Sequence, residues 1–148
     1  MKTEPFVPHE LSYLESVRAF PEGAMPEAAY RKLCRDYETA NVPVQRIEYA
    51  SEGLTITGLF ARPEGAPKGI VIYNRGGKGN YGILTVHAAL RQFVPLARAG
   101  YLVAGSNYRG NDGGEGRDEF GGRDVDDVIS LYNIAKQHPL AGNKCYII

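Results

Sequence analysis

Apolar and polar positions change their period along the chain, and each change predicts an element. Leu11, Leu14 and Val17, then Ala29, Leu33 and Tyr37, recur at helical spacing on either side of the breaker at residues 20 to 23. Two short helices are predicted there. Pro43 closes this region, and the period switches to two: Val44, Arg46, Glu48 and Ala50 alternate with Gln45, Ile47, Tyr49 and Ser51. The turn residues Ser51, Glu52 and Gly53 lead into a second run, Leu54 to Arg62, which predicts a β-hairpin.

A turn-rich stretch, Pro63 to Lys68, precedes the short apolar run Gly69 to Asn74, which reads as a strand buried on both faces. Ile83, Val86, Leu90, Phe93, Val94 and Ala97 then recur at helical spacing up to Gly100. Pro95 lies inside this helix, where its lost N–H and its ring predict a kink. Tyr101 to Ser106 reads as a second buried strand, parallel to the first through the intervening helix. A further helix is predicted with Val125, Val128, Ile129 and Tyr132 on its inner face, ended by Pro139. Lys144 to Ile148 reads as a third buried strand. The order hairpin, β, α, β, α, β is an α/β pattern, with a helical extension at 1–42 and the α/β unit at 43–148.

Composition narrows the functions open to such a fold. Seventeen basic residues balance seventeen acidic ones, so no net field recruits nucleic acid or an anionic membrane surface. Small or uncharged ligands are expected. Cys34 and Cys145 are far apart and lack C-x-x-C spacing, which argues against a disulfide framework or a structural zinc site. The first residues lack the basic start and apolar run of a secretory signal, and no stretch reaches the ~18 apolar residues of a membrane span. A soluble, cytoplasmic protein is the expectation.

Residues 107 to 128, from Asn107-Tyr108-Arg109-Gly110 through Gly116-Arg117-Asp118-Glu119-Phe120 to Asp124-Val125, resemble the prolyl oligopeptidase family of serine hydrolases. The resemblance extends back through Tyr73 to Gly77, at the family's strand-three loop, and forward to Tyr146-Ile147-Ile148, at its fifth strand. It covers about residues 44 to 148, and residues 1 to 40 lie outside it. It implies a truncated α/β-hydrolase fold: an N-terminal β-hairpin plus parallel strands with crossover helices, in the strand order 1-2-4-3-5. It also implies a peptidase or esterase acting on small peptides or esters, with no cofactor and no metal.

That family presents its nucleophile on a Gly-x-Ser-x-Gly turn, followed in sequence by Asp or Glu and then His. Ser51 has Gly53 after it but Tyr49 where the first glycine belongs, and Ser106 has neither glycine. The resemblance therefore places the whole triad beyond Ile148 and implies that this chain alone is inactive. What remains is the strand-three loop, Arg75, Gly76 and Gly77, which in this fold offers backbone N–H groups to the oxyanion. A plain tight turn explains the same glycines. Arg75 stands where the family has Tyr or His, so its backbone rather than its side chain is the expected contributor.

Arg109 is expected to brace the loop after strand four by pairing with Asp112, Glu115 or Asp118. Asp124, Asp126 and Asp127 are expected to stabilise the positive end of their helix. His9, His87 and His138 have no nucleophile or ligand beside them and are given no catalytic role. Two rival readings stand beside the hydrolase one. Gly77, Gly79 and Gly82 fit the G-x-G-x-x-G of dinucleotide-binding loops, with Arg109 free for a 2′-phosphate, although no acidic residue ends the next strand. Alternatively, a half-domain with an open fifth strand is a non-catalytic module that associates with itself through that sheet edge.

Overall fold

A computed structural model of the chain describes residues 1–7, 26–79, 81–138 and 144–148. The helix expected around Leu11, Leu14 and Val17, together with His9 and Pro139, lies outside the described residues. The elements are β1 (Lys2–Pro5), α1 (Glu27–Thr39), β2 (Val44–Ser51), β3 (Leu54–Ala61) and β4 (Ile70–Asn74). They continue with α2, β5 (Leu102–Ser106), α3 (Asp124–Lys136) and β6 (Cys145–Ile147). Helix α2 opens as one α turn at Val86–Ala88, widens to a π-helix over Ala89–Phe93 and closes as an α-helix over Val94–Arg98.

The expected hairpin is β2 and β3, joined in register from Ser51↔Leu54 to Val44↔Ala61. Its turn places Glu52 and Gly53 at φ 47° and 81°, the paired positive values that match the twist of a two-residue hairpin. The sheet order is β1-β2-β3-β5-β4-β6. Strand β5 runs parallel to β4, β6 runs parallel to β4 on its other side, and the hairpin joins β5 antiparallel through Gly58↔Ser106 to Ala61↔Val103. With β1 set aside, this is the order 1-2-4-3-5 expected of a partial α/β-hydrolase. Gly58 is required at the junction, because a Cβ there would lie 2.1 Å from the Gly105 carbonyl oxygen.

Alternation sends successive strand residues to opposite faces. Leu59, Ala61, Val71 and Val103 pack with Phe93, Val94 and Ala97 of α2. Ile56, Phe60, Ile70, Ile72, Leu102 and Ala104 pack with Leu131 and Ala135 of α3. Helix α1 then covers α2 through Tyr30, Leu33 and Val86. Where the kink is predicted, just before Pro95, the helix widens to the π segment, in which the Val94 N–H reaches back to the Ala89 carbonyl. Among the described residues no helix is long and apolar enough to cross a membrane.

Three expectations need correction. Residues 2 to 5 of the predicted helical extension are a strand, paired antiparallel with β2 from Lys2↔Glu48 to Pro5↔Gln45. Fully exposed and containing a proline, this edge strand has no apolar alternation to betray it. The inner face of α3 carries Asp124, Asp127, Leu131 and Ala135, and of the predicted residues Val128 and Tyr132 pack against the same cluster, whereas Val125 and Ile129 are half exposed. Finally β6 is exposed along its whole length, because it forms the sheet edge beyond β4.

Candidate functional site

In a parallel α/β sheet the loops at the carboxyl ends of the strands carry the chemistry. Here these are the loop after β4, from Arg75 to Thr85, and the loop after β5, from Asn107 to Arg123. Arg75 locks the two together. Its Nε and Nη2 donate to the Asn107 carbonyl oxygen at 3.0 and 2.8 Å, and its Nη1 donates to the Tyr81 carbonyl oxygen at 2.6 Å. Nη2 also lies 3.5 Å from Asp118 Oδ2, and the guanidinium stacks 4.6 Å above the Tyr108 ring. Burial pushes the Arg75 pKa down, and Tyr108 and Asp118 oppose this without cancelling it. The side chain is thus consumed within the protein.

The orientation of that backbone follows from peptide geometry. Tyr108 donates its hydroxyl to the Arg75 carbonyl oxygen at 3.0 Å, so this carbonyl points inward at the β5 loop. In a planar trans peptide the N–H points opposite to the carbonyl, which turns the Gly76 N–H away from Tyr108. Gly76 is exposed, and a Cβ built on it meets nothing within 4 Å. Gly77 differs: its φ of 92° and the 2.3 Å clash of an added Cβ with the Tyr81 ring make it a turn glycine. The expected trio therefore divides into a side-chain clamp, an exposed glycine and a tight turn.

Asn107 and Asp118 complete the connection. Asn107 Oδ1 accepts from the Leu84 N–H at 2.9 Å, its Nδ2 donates to Asp112 Oδ2 at 2.9 Å, and its own N–H donates to the Thr57 carbonyl at 2.8 Å. Asp118 Oδ2 accepts from the Gly79 N–H at 2.8 Å and from Asn111 Nδ2 at 3.0 Å, while Oδ1 accepts from the Phe120 N–H at 2.9 Å. Burial alone would raise its pKa; these hydrogen bonds and the charge of Arg75 outweigh burial and hold the carboxyl below its ordinary value.

The brace at Arg109 exists, but with other partners than those expected. Arg109 Nη2 and Nε bind Asp127 Oδ1 and Oδ2 at 2.8 and 3.1 Å, its backbone N–H donates to Asp127 Oδ2 at 2.8 Å, and Nη2 also reaches Glu52 Oε2 at 2.8 Å. The fork and the carboxylate are almost wholly buried, with 3% and 0% of their side chains exposed. The hydrogen bonds that Arg109 donates to Asp127 raise the Arg109 pKa despite its burial. Of the predicted partners, Asp112 pairs with Arg46, Glu115 accepts the Thr55 N–H at 2.6 Å, and Asp118 serves Arg75 and Gly79. Asp127 is therefore a buried ion-pair partner, not simply a charge at a helix end. Asp124 accepts from the Gly121 N–H and fastens the turn before α3.

Sequence reasoning did not single out Tyr108, Asn107 or Glu52. Tyr108 sits at φ 63°, a left-handed conformation unusual for a large side chain. Glu52 joins the hairpin turn to both Arg109 and Arg123, the latter at 3.1 Å. Only Glu52 left a trace in the sequence, as an acidic residue in a tight turn. Ser106 is buried with its Oγ 2.6 Å from the Tyr49 hydroxyl and accepting the Tyr108 N–H at 2.9 Å. Burial raises the Tyr49 pKa, so that hydroxyl stays neutral. His87 is exposed, and His138 lies against the Phe60 ring. The glycine-rich loop also fits pyrophosphate poorly, since the Gly79 N–H is already taken by the Asp118 carboxylate, whose charge would repel a phosphate.

Comparison with known proteins agrees with this geometry. No protein-family model matches the chain. Over 100 residues it is 35% identical to the uncharacterized peptidase YtmA of Bacillus subtilis, an alignment covering 67% of this chain and 37% of that protein. Among solved structures it is similar to the Pyrococcus furiosus esterase Pf2001, with a TM-score of 0.56 and 14% identity over 74% of this chain and 42% of that one. The chain is a partial α/β-hydrolase domain. The Pyrococcus horikoshii acylaminoacyl peptidase superposes on 72% of this partial domain with a TM-score of 0.52 and 21% identity, and is itself covered to 18%. An α/β serine hydrolase homologue from Coxiella burnetii gives 0.53 and 15% over 69% of this chain and 49% of its own. The partial domain spans less than half the length of each of these relatives.

Proposed function

We propose that the chain is the amino-terminal part of a cytoplasmic serine hydrolase of the prolyl oligopeptidase type, acting on peptide, ester or related acyl bonds. Its contribution is the loop after β4, whose Gly76 N–H donates to the oxyanion of the tetrahedral intermediate. The observation carrying this reading is the exposed Gly76 at the carboxyl end of β4, with the Arg75 carbonyl tied down so that the Gly76 N–H turns away from Tyr108. Donors fixed before the reaction are the largest single source of stabilisation in acyl transfer. The nucleophile, acid and base are supplied from outside these 148 residues, so the chain alone forms no acyl-enzyme.

A fluorophosphonate probe with peptide mapping tests this. The 148-residue chain is expected to stay unlabelled, while a longer polypeptide that contains it is labelled at a serine outside residues 1–148. Stoichiometric label on any of Ser12, Ser16, Ser51, Ser106 or Ser130 would overturn the reading.

A second reading, self-association through the sheet edge, is favoured by β6, where Tyr146 and Ile147 are 44% and 68% exposed on a strand paired only with β4 among the described residues. An unpaired apolar edge is a template for another strand. Light scattering behind size exclusion should then show mass rising with concentration.

A further inference from the structure

The fixed direction of the Gly76 N–H has two causes, and neither belongs to the glycine. Resting on the hydrolase reading above, we infer that Tyr108 and Arg75 are positioning residues that jointly set the Arg75–Gly76 peptide for oxyanion binding.

A glycine pair is the least constrained backbone a loop can contain, so the Gly76–Gly77 segment cannot hold an N–H in one direction by itself. The peptide that enters this segment and the far end of its loop are each fastened from outside. The Arg75 carbonyl receives the Tyr108 hydroxyl at 3.0 Å, which fixes the plane whose other side is the Gly76 N–H. Further along, the Tyr81 carbonyl receives Arg75 Nη1 at 2.6 Å, which ties the far side of the loop back to its origin. Gly77 then fits only as glycine between those two anchors.

The anchors are themselves immobilised. Tyr108 is held by its left-handed backbone, by the Ser106 Oγ on its N–H at 2.9 Å and by the guanidinium on its ring. Burial raises its pKa, which keeps the hydroxyl protonated and able to donate. Arg75 is held by two bonds to the Asn107 carbonyl, and Asn107 is held by Thr57, Asp112 and the Leu84 N–H. A lysine at position 75 could reach one of these acceptors but not bridge Asn107 and Tyr81 while lying flat on the Tyr108 ring, since only the guanidinium is a planar fork. Neither side chain has access to a substrate carbonyl, because the groups that would contact it are already engaged inside the protein.

Two measurements separate this role from a general structural one. In the 148-residue chain, backbone relaxation at the Gly76 amide should report a rigid site, with an order parameter of about 0.85. It should fall below about 0.6 in Arg75→Lys and to an intermediate value in Tyr108→Phe, with the amides of β4 and β5 unchanged. A Gly76 amide that is mobile in the native chain, or equally rigid in both variants, overturns the inference. In the hydrolase containing the chain, Arg75→Lys should lower kcat about 100-fold, the loss that a misplaced reacting geometry brings. KM should hold within about twofold, since only transition-state contacts are lost. Tyr108→Phe, which keeps the ring and leaves the fold intact, should show the same split at about 10-fold. A change confined to KM, or none in kcat, overturns the inference. Failure of native protein to hydrolyse any ester or peptide counts instead against the hydrolase reading, whereas the relaxation arm stands or falls without it.

Discussion

The carboxyl ends of β4 and β5 and the outer surface of α3 with β6 are built on opposite plans. At the first, polar and charged residues are buried: Arg75, Asn107, Arg109, Asn111 and Asp127 are all almost wholly out of solvent, and each is hydrogen bonded. At the second, apolar residues face outward, with Val125 and Ile129 half exposed and Ile147 at 68%. Burying a polar group is costly unless its partners are in place, so such a network tolerates one arrangement only. An exposed apolar side chain makes no such demand. The contrast separates the part of the molecule whose geometry is fixed from within from the part whose apolar groups lack a cover among the described residues.

The contrast breaks most severely at the buried ion pair. Asp127→Ala leaves the Arg109 guanidinium buried against a void, and loss of one partner of such a pair costs about 3–5 kcal/mol. Urea denaturation should show this as a lower midpoint with an unchanged slope. Asn107→Ala comes next. It strands the Leu84 N–H and one side of Asp112, at about 1–3 kcal/mol for each buried group left unsatisfied, and a comparable fall in the urea midpoint should result.

These two predictions rest on residues that the sequence exposed to very different degrees. The hairpin, β4 and β5 were legible, because period-two alternation and short apolar runs reflect which face each residue covers, whereas their order came from the family resemblance. The loop at Arg75, Gly76 and Gly77 was legible as a place, through its glycines and its position after a strand. Its working parts were not. Which N–H is open depends on the Tyr108 hydroxyl 33 residues away, and no local pattern carries a contact of that kind. The inner face of α3 was misread for a related reason. An aspartate at position 127 looks solvent-facing until Arg109 is seen to neutralise it, and that shift of the helix leaves Val125 and Ile129 outside. Strand β1 was missed because an exposed edge strand has no core to imprint a period on it.

A smaller effect is expected from pH. The Asp118 carboxyl has a folded-state pKa below its unfolded value, so its stabilisation is complete above the unfolded value of about 3.9 and is lost as pH falls through the lower, folded one. Acid unfolding of Asp118→Asn should therefore begin from a less stable state at neutral pH yet show a shallower loss of stability below about pH 4. If both proteins lose stability in parallel, Asp118 is not the group that ties Gly79 to the β5 loop.

The smallest effect belongs to the outward apolar surface. Ile129→Ser should change stability by no more than about 0.5 kcal/mol, as surface substitutions do. Ile147→Lys should leave folding equally unaffected while suppressing any concentration-dependent association, because charge blunts an open strand edge. A large loss of stability from either would mean that this surface is covered in solution, and the contrast between the two regions would disappear.

The most direct measurement is the structure of a trifluoromethyl ketone adduct of the hydrolase that contains this chain. The account predicts the adduct oxyanion at about 2.7–3.1 Å from the Gly76 nitrogen, with the Tyr108 hydroxyl still on the Arg75 carbonyl. An oxyanion held by other groups, with the Gly76 N–H left facing solvent, would contradict it.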